Sequence, residues 1–163
     1  QIIANIDKVD IWGIELEAQA LLAEGVEFNV GLGTTDSDIK KITVFPGNEG
    51  NKTPKSTTWS LTAGLQIRRE ITEGLNGFAR IDYDHKGKKY WQVDNADAQK
   101  PVDIFNARIG VDTDSWGVYL WGKNLTNEKY YSDFNPREFS GTDVDLGFRG
   151  QPRSYGIEAR YKF

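Results

Sequence analysis

Apolar and polar residues alternate with a period of two along most of the chain. At the C-terminal end, Tyr155, Ile157, Ala159, Tyr161 and Phe163 alternate with polar or small residues. A helix would scatter this apolar set around its surface, whereas a strand places alternate residues on opposite faces. The same alternation recurs upstream at residues 12–20, 26–33, 59–68, 75–84, 105–112 and 116–123. The pattern therefore predicts an all-β fold with seven antiparallel strands.

The strands and their connections have the lengths expected of a transmembrane β-barrel. The predicted strands have about eight to ten residues each, compared with ~5–6 in ordinary sheets and ~9–11 in a strand that crosses a bilayer. Short turns are predicted at 22–25, 69–74 and 112–115, and long connections at 37–56, 86–102 and 125–150. Membrane barrels have short turns on one side and long loops on the other.

The bulky aromatic residues of the apolar sets lie at strand ends. Near the long connections they are Trp12, Trp59, Tyr83, Phe105 and Tyr155, and near the short turns they are Phe28, Trp116, Tyr161 and Phe163. Two such belts are typical of the two membrane interfaces. The opposite strand faces are polar, and we expect these residues to point into the barrel: Glu15, Glu17, Arg68, Arg80, Asp82 and Arg108.

Composition narrows the function classes. The mean hydropathy of -0.57 is that of a soluble protein, but only one face of a barrel strand meets lipid. The chain has no Cys, which excludes disulfides and Cys-ligated metal sites, and its net charge of -4 gives no basic face for nucleic acid. It begins with Gln1, has no Met and shows no signal peptide, so we expect a fragment or a processed piece.

An odd number of strands predicts that the barrel continues beyond this chain. Bacterial single-chain barrels have even strand numbers, and an open sheet would leave two unpaired edges in lipid.

Four segments carry a more specific pattern. In order along the chain they are NIDKVDIWGIELEAQ (5–19), NKTPKSTTWSLTAGL (51–65), WGVYLWGKNLTNEKYY (116–131) and QPRSYGIEARYKF (151–163). The first contains a Gly-x-Glu-x-Glu pattern and the third an Asn-Leu-x-Asn turn, while the last ends in an aromatic residue. Their order and spacing resemble the TonB-dependent receptor family of outer-membrane proteins.

The resemblance implies a fold and a location. Residues 1–163 would form the C-terminal part of a barrel of about 22 strands with a plugged lumen, lacking the plug domain and the N-terminal strands. The barrel would lie in outer-membrane lipid of a Gram-negative bacterium. The family's terminal strand is read by the barrel-assembly machinery, a role that would fall to Tyr155, Ile157, Ala159, Tyr161 and Phe163.

The resemblance also implies a function, namely active import of a scarce ligand such as a ferric siderophore, a vitamin or an oligosaccharide. TonB would supply the energy through the absent N-terminal region. Two alternatives stay open, a small outer-membrane barrel with a structural or adhesive role and a soluble β-sheet binding module.

The long connections are the expected ligand-facing surface. Aromatic rings and Arg could hold a small molecule or an oligosaccharide by stacking and charge. Packing within the loops or an interfacial belt would use the same residue types. The candidates are Phe45, Tyr90, Trp91, Tyr130, Tyr131, Phe134, Arg137 and Arg149.

Other reactive residues give weaker patterns. His85 is the only His and is expected to be a polar surface residue. Asp112 and Asp114 are expected to shape a tight turn. Two acidic pairs, Asp94 with Asp97 and Asp143 with Asp145, match no calcium loop and favour solvated acidic loops. The chain has no Cys nucleophile and no G-x-S-x-G motif, so we predict neither an enzyme nor a cofactor.

Overall fold

Seven long strands form one antiparallel sheet in the computed structural model, which describes residues 5–163. In chain order the elements are β1 (Lys8–Ala23), β2 (Val26–Lys41), β3 (Trp59–Thr72), β4 (Leu75–Lys86), β5 (Lys89–Tyr90), β6 (Ala98–Gln99), β7 (Val102–Asp112), β8 (Trp116–Lys123), β9 (Tyr131–Asn135), α1 (Arg137–Ser140), β10 (Leu146–Arg149) and β11 (Ser154–Tyr161). Within residues 5–163, no helix is both long and apolar enough to span a membrane.

The sheet is a single open layer. Its spatial order is β1-β2-β3-β4-β7-β8-β11, so β1 and β11 form its two edges. The two short pairs, β5 with β6 and β9 with β10, lie apart from it in the long connections. The predicted seven antiparallel strands are confirmed.

The strand register separates the alternating residues onto two faces. Leu65 pairs with Phe28 and with Ile81, which places these side chains on one side, the apolar face. Its neighbour Gln66 pairs with Glu27 and with Arg80 on the other side, the polar face. No second layer of the described residues covers the apolar face, where exposed side chains include Leu16 at 61%, Ile109 at 59% and Ile157 at 72%.

Short turns and long loops segregate to opposite ends, as predicted. The short turns lie at residues 24–25, 73–74 and 113–115. The long connections at the other end are loop 1 (residues 42–58), loop 2 (residues 87–101) and loop 3 (residues 124–153).

The first hairpin is longer than its sequence pattern predicts. We placed residues 37–41 in a loop, but β2 continues to Lys41. The extension is stabilised by loop 1, because Ile39 N donates to Asn51 O at 2.9 Å and Gly50 N donates to Ile39 O at 2.8 Å. Burial also favours it, since Ile39 is 0% exposed.

The hydrophobic core lies under the loops rather than on the sheet. Ile39, Ile42 and Val93 form its centre, with Phe45 and Phe139 packed against them. These residues come from β2 and all three loops, so the core joins the loops to the sheet. A single-layer sheet has no interior of its own, so contacts with the loops are what shield this cluster from water.

Candidate functional site

Loops 1 and 2 are joined by reciprocal hydrogen bonds. Lys52 N donates to Asn95 Oδ1 at 2.8 Å, and Asn95 Nδ2 donates back to Lys52 O at 2.9 Å. Asn51 Nδ2 donates to Val93 O at 2.9 Å. Backbone groups that have no strand partner are satisfied across the two loops, which therefore form one unit.

Loop 3 is tied to this unit by an ion pair and an amide contact. Lys55 Nζ lies 2.8 Å from Asp133 Oδ1, and Gln92 Nε2 donates to Asn135 Oδ1 at 3.1 Å. The hydrogen bond from Lys55 lowers the pKa of the Asp133 carboxyl, against the opposing effect of burial. All three loops are thus connected to one another.

The base of loop 3 is closed by the Asn-Leu-x-Asn segment of the sequence. Asn124 is buried (3% exposed) and adopts a left-handed backbone with φ 49. Its Oδ1 accepts from Glu128 N at 2.8 Å, and its Nδ2 donates to Glu128 O at 3.0 Å and to Gln151 O at 2.9 Å. The Asn124 side chain therefore connects the two ends of loop 3 by hydrogen bonds.

Three of the eight predicted ligand-facing residues form one aromatic group. The Phe134 ring lies 5.7 Å from that of Tyr131 and 6.2 Å from that of Trp91. Trp91 is only 2% exposed, whereas Tyr131 is 41% exposed. The structure thus places Trp91 beneath the surface and Tyr131 on it.

The other predicted residues are dispersed. Phe45 packs on Phe139, with ring centroids 6.0 Å apart. The side chain of Arg137 lies 3.4 Å from Asp145 Oδ1, and Arg137 N donates to the same oxygen at 3.0 Å. Arg149 lines a cleft of about 320 Å³ together with Tyr130 and Tyr131.

A second pocket lies where the loops meet the polar face. It has a volume of about 360 Å³, and we call it the loop-base pocket. Register places part of its wall, because Asp84 pairs with Ile104 and Lys86 pairs with Val102 in the sheet. The residues that define it here are Asp84, Lys86, Lys89, Ile104, Tyr130 and Tyr131.

Two lysines of this pocket were missed by the sequence analysis. Lys86 and Lys89 belong to the run Lys-Gly-Lys-Lys that directly follows a predicted strand, and this run was the available signal. In the part of the chain that the structure describes, neither ammonium lies within 4.0 Å of a carboxylate. Burial lowers the pKa of Lys89, and the nearby charge of Lys86 lowers it further.

His85 is buried, so its prediction as a polar surface residue is wrong. It is 9% exposed and stacks on Trp59, with ring centroids 4.0 Å apart. Its Nδ1 lies 2.7 Å from Asp103 Oδ1, which also accepts from Tyr83 Oη at 2.6 Å. The Trp59 ring covers the imidazole on the apolar face.

The polar face contains a hydrogen-bonded hub near the short-turn end. Asp112 is 5% exposed, and its carboxylate accepts from the Arg68 guanidinium and, at 2.6 Å, from Tyr119 Oη. We predicted that Asp112 and Asp114 shape the following turn. Asp114 lies in that turn, but the Asp112 carboxylate bonds to Arg68 and Tyr119 instead, so the prediction is wrong for Asp112. Thr113 has that role, because its Oγ1 accepts from Trp116 N at 3.2 Å.

The acidic pairs and the terminal strand are the remaining predicted sites. The two acidic pairs lie in solvated loops, as predicted, because Asp94, Asp97, Asp143 and Asp145 are all exposed. The terminal strand presents its alternate residues on the apolar face, with Tyr155 at 79% and Tyr161 at 67% exposed. The Tyr161 and Phe163 rings contact edge to face at 5.1 Å.

Comparisons with known proteins extend these observations. A family model described as "TonB dependent receptor-like, beta-barrel" matches residues 1–125. The fold is similar to that of FyuA, the ferric yersiniabactin uptake receptor from Yersinia pestis, with 18% identity and a TM-score of 0.82 over 95% of this chain and 24% of that chain. It is similar to that of the siderophore receptor PiuA from Acinetobacter baumannii, with 16% identity and a TM-score of 0.72 over 93% of this chain and 21% of that chain.

A third similar structure is BauA, the ferric preacinetobactin receptor from Acinetobacter baumannii. It has 19% identity and a TM-score of 0.67 over 93% of this chain and 22% of that chain. The chain therefore spans about a quarter of the length of these receptors.

Proposed function

This chain belongs to the TonB-dependent receptor-like β-barrel family, and from that premise we propose that it is part of an importer of ferric siderophores. Proteins of this family are outer-membrane β-barrels of Gram-negative bacteria, and they are transporters and receptors rather than enzymes. The apolar face accordingly meets lipid, and the polar face lines the barrel lumen.

The observation that supports import is that the lumen wall is polar and that long loops, joined to one another by hydrogen bonds, lie at only one end of it. The loop-base pocket opens on the lumen side, directly under the interlocked loops. A ligand that enters from this end would meet exposed Tyr131 and the two pocket lysines before it reached the rest of the wall. A barrel with a purely structural role has no need of such a pocket.

The choice of a ferric siderophore as the cargo rests on the similar structures. The three receptors are described as a ferric yersiniabactin uptake receptor, a siderophore receptor and a ferric preacinetobactin receptor. At 16–19% identity their likeness shows the fold, and the ligand class is carried over as part of the proposal. Vitamins and oligosaccharides are the competing cargoes.

The proposal includes the surroundings of this chain. Edge strands β1 and β11 need partners in lipid, so we assign the chain to a barrel of about 22 strands, as its C-terminal part. The plug domain and the N-terminal region that contacts TonB would both lie outside this chain. The exposed residues of β11 and Phe163 would be the signal that the barrel-assembly machinery reads.

Uptake measured in cells tests the proposal. The gene for the whole polypeptide is deleted, and iron uptake from a panel of ferric siderophores is compared with that of a complemented strain under iron limitation. We expect uptake of at least one chelate to be lost on deletion and restored on complementation. A strain without TonB is the control, because the same uptake must also fail there.

Two outcomes contradict the proposal in different ways. Unchanged uptake of every chelate, together with lost uptake of a vitamin or an oligosaccharide, would keep import and reject siderophores. Unchanged uptake of all ligands, with altered adhesion or envelope integrity, would favour the structural barrel.

A further inference from the structure

Three lysines within four residues have different surroundings at the end of β4. Lys86 and Lys89 line the loop-base pocket. Lys88, between them, does not line it, and its Nζ donates to Tyr90 Oη at 2.9 Å. The three lysines share one short segment, but only Lys86 and Lys89 place their charges at the pocket, and Lys88 lies outside it.

The pocket has a net positive lining. Asp84 is the one acidic residue among those that line it, so the two lysines outnumber it. Neither lysine is neutralised by a carboxylate within 4.0 Å among the described residues. The Lys89 ammonium instead lies 4.4 Å from the centre of the Trp91 ring, and its remaining neighbours at longer range include Lys55 and Asp133.

The rest of the lining is mixed, because Thr57, Gln99 and Ser132 are polar and the other side chains are aromatic or aliphatic. Tyr130 and Tyr131 contribute rings from loop 3, while Val102 and Ile104 contribute aliphatic side chains from β7. Such walls favour a planar body by stacking and burial, whereas the lysines favour a negative group. A volume of about 360 Å³ suits a small organic group rather than a single ion.

We propose that the loop-base pocket binds an organic anion with a planar group, the charge held by Lys86 and Lys89 and the planar group packed on Tyr130 and Tyr131. This inference rests on the proposed function and narrows its ligand to a class. A neutral sugar would leave the two lysines uncompensated. An anion offsets the cost of burying Lys89 beside Lys86, which is the cost that lowers the pKa of Lys89.

A pair of probes of equal shape tests the charge directly. The whole polypeptide is purified in detergent and titrated with para-fluorobenzoate, an anion, and with para-fluorobenzamide, its neutral counterpart, by fluorine NMR. We expect the anion to bind about tenfold more tightly than the amide, the range of one charge-assisted contact. The Lys86→Gln and Lys89→Gln variants should each weaken anion binding by about fivefold and leave amide binding unchanged.

Lys88→Gln is the matched control, because it removes the same charge from the same segment outside the pocket. We expect it to change anion affinity by less than about twofold, as for a screened surface charge. Heat-modifiability on gels confirms that each variant retains a folded barrel. If one of the two pocket variants does not fold, the other still tests whether a pocket lysine holds the anion.

Several results would overturn the inference. They are equal binding of both probes, no measurable binding of the anion up to its solubility, or a loss in Lys88→Gln as large as that in Lys89→Gln. Each leaves the uptake result untouched, so this inference and the proposed function fail separately. Loss of uptake on deletion combined with equal binding of both probes would retain the importer and reject the anionic ligand at this pocket.

Discussion

Gly25 and Gly74 occupy matching positions in two short turns, each after a Glu. Both have a left-handed backbone, with φ 67 and φ 73. Their surroundings differ, because a Cβ at Gly25 would lie 1.9 Å from Arg68 O, whereas at Gly74 nothing lies within 4 Å. Gly25 therefore meets a steric constraint from the neighbouring strand in addition to the backbone constraint that both share.

We predict that the two alanine variants separate these constraints. Gly74→Ala should lower the free energy of unfolding by about 1 kcal/mol, the cost of a non-Gly residue at positive φ. Gly25→Ala should lower it by about 2–4 kcal/mol, because the backbone around Arg68 must also shift. Urea unfolding of the whole polypeptide in lipid vesicles measures both. Equal losses would mean that the close approach at Gly25 is relieved at no cost.

The sequence predicts which face of the sheet a residue occupies, but it does not predict which side chain that residue contacts. Period two places His85 on the apolar face with Ile81 and Tyr83, so its position was available from the sequence although we predicted a polar surface residue. The contact of Arg68 with Asp112 joins residues 44 apart in the chain. Such a pair depends on the combined register of β3, β4 and β7, which alternation alone does not determine.

At the level of elements, the long strands were predictable and the loop structure was not. Strands of eight or more residues repeat the alternation often enough to be recognised, as in β3 and β11. The pairs β5–β6 and β9–β10 have strands of two to five residues, too few for a pattern. The conformation of the loops depends instead on contacts between them, such as the ion pair of Lys55 with Asp133.

The tether between Lys55 and Asp133 should be sensitive to acid. The pKa of Asp133 is lowered from its ordinary value of 3.8, so the stabilisation is complete above that value and is lost as the pH falls through the lowered pKa. Its contribution is at most about 1 kcal/mol, since the Asp133 side chain is 47% exposed and solvent screens the pair.

Carboxyl carbon NMR of labelled Asp in the whole polypeptide measures this effect. We expect Lys55→Gln to raise the pKa of Asp133, because the hydrogen bond from Lys55 is its largest cause. Lys52→Gln is the control, since Lys52 Nζ pairs with Asp36 at 2.5 Å and does not contact Asp133. An unchanged Asp133 titration in Lys55→Gln would show that this ion pair between the loops is not formed in the whole protein.

At the level of the whole molecule, the sheet owes its stability to its surroundings. The apolar face is open across all seven strands, and an exposed face of this size is unfavourable in water. The alternation and the segregation of loops predicted this architecture from the sequence. The number of strands in the closed barrel was not available, because both sheet edges pair with segments outside this chain under the proposed function.

Adjacent residues of β3 test which face meets lipid. Ala63 pairs with Val30 and Tyr83 on the apolar face, and Thr62 pairs with Gly31 and Asp84 on the polar face. Ala63→Lys should lower the free energy of unfolding in lipid vesicles by about 2–4 kcal/mol, the cost of a cation in the hydrocarbon. Thr62→Lys, at the same depth, should change it by less than about 1 kcal/mol, because the lumen is polar and Asp84 lies beside it. Equal losses in the two variants would mean that both faces of β3 are shielded from water, and the assignment of the polar face to the lumen would be wrong.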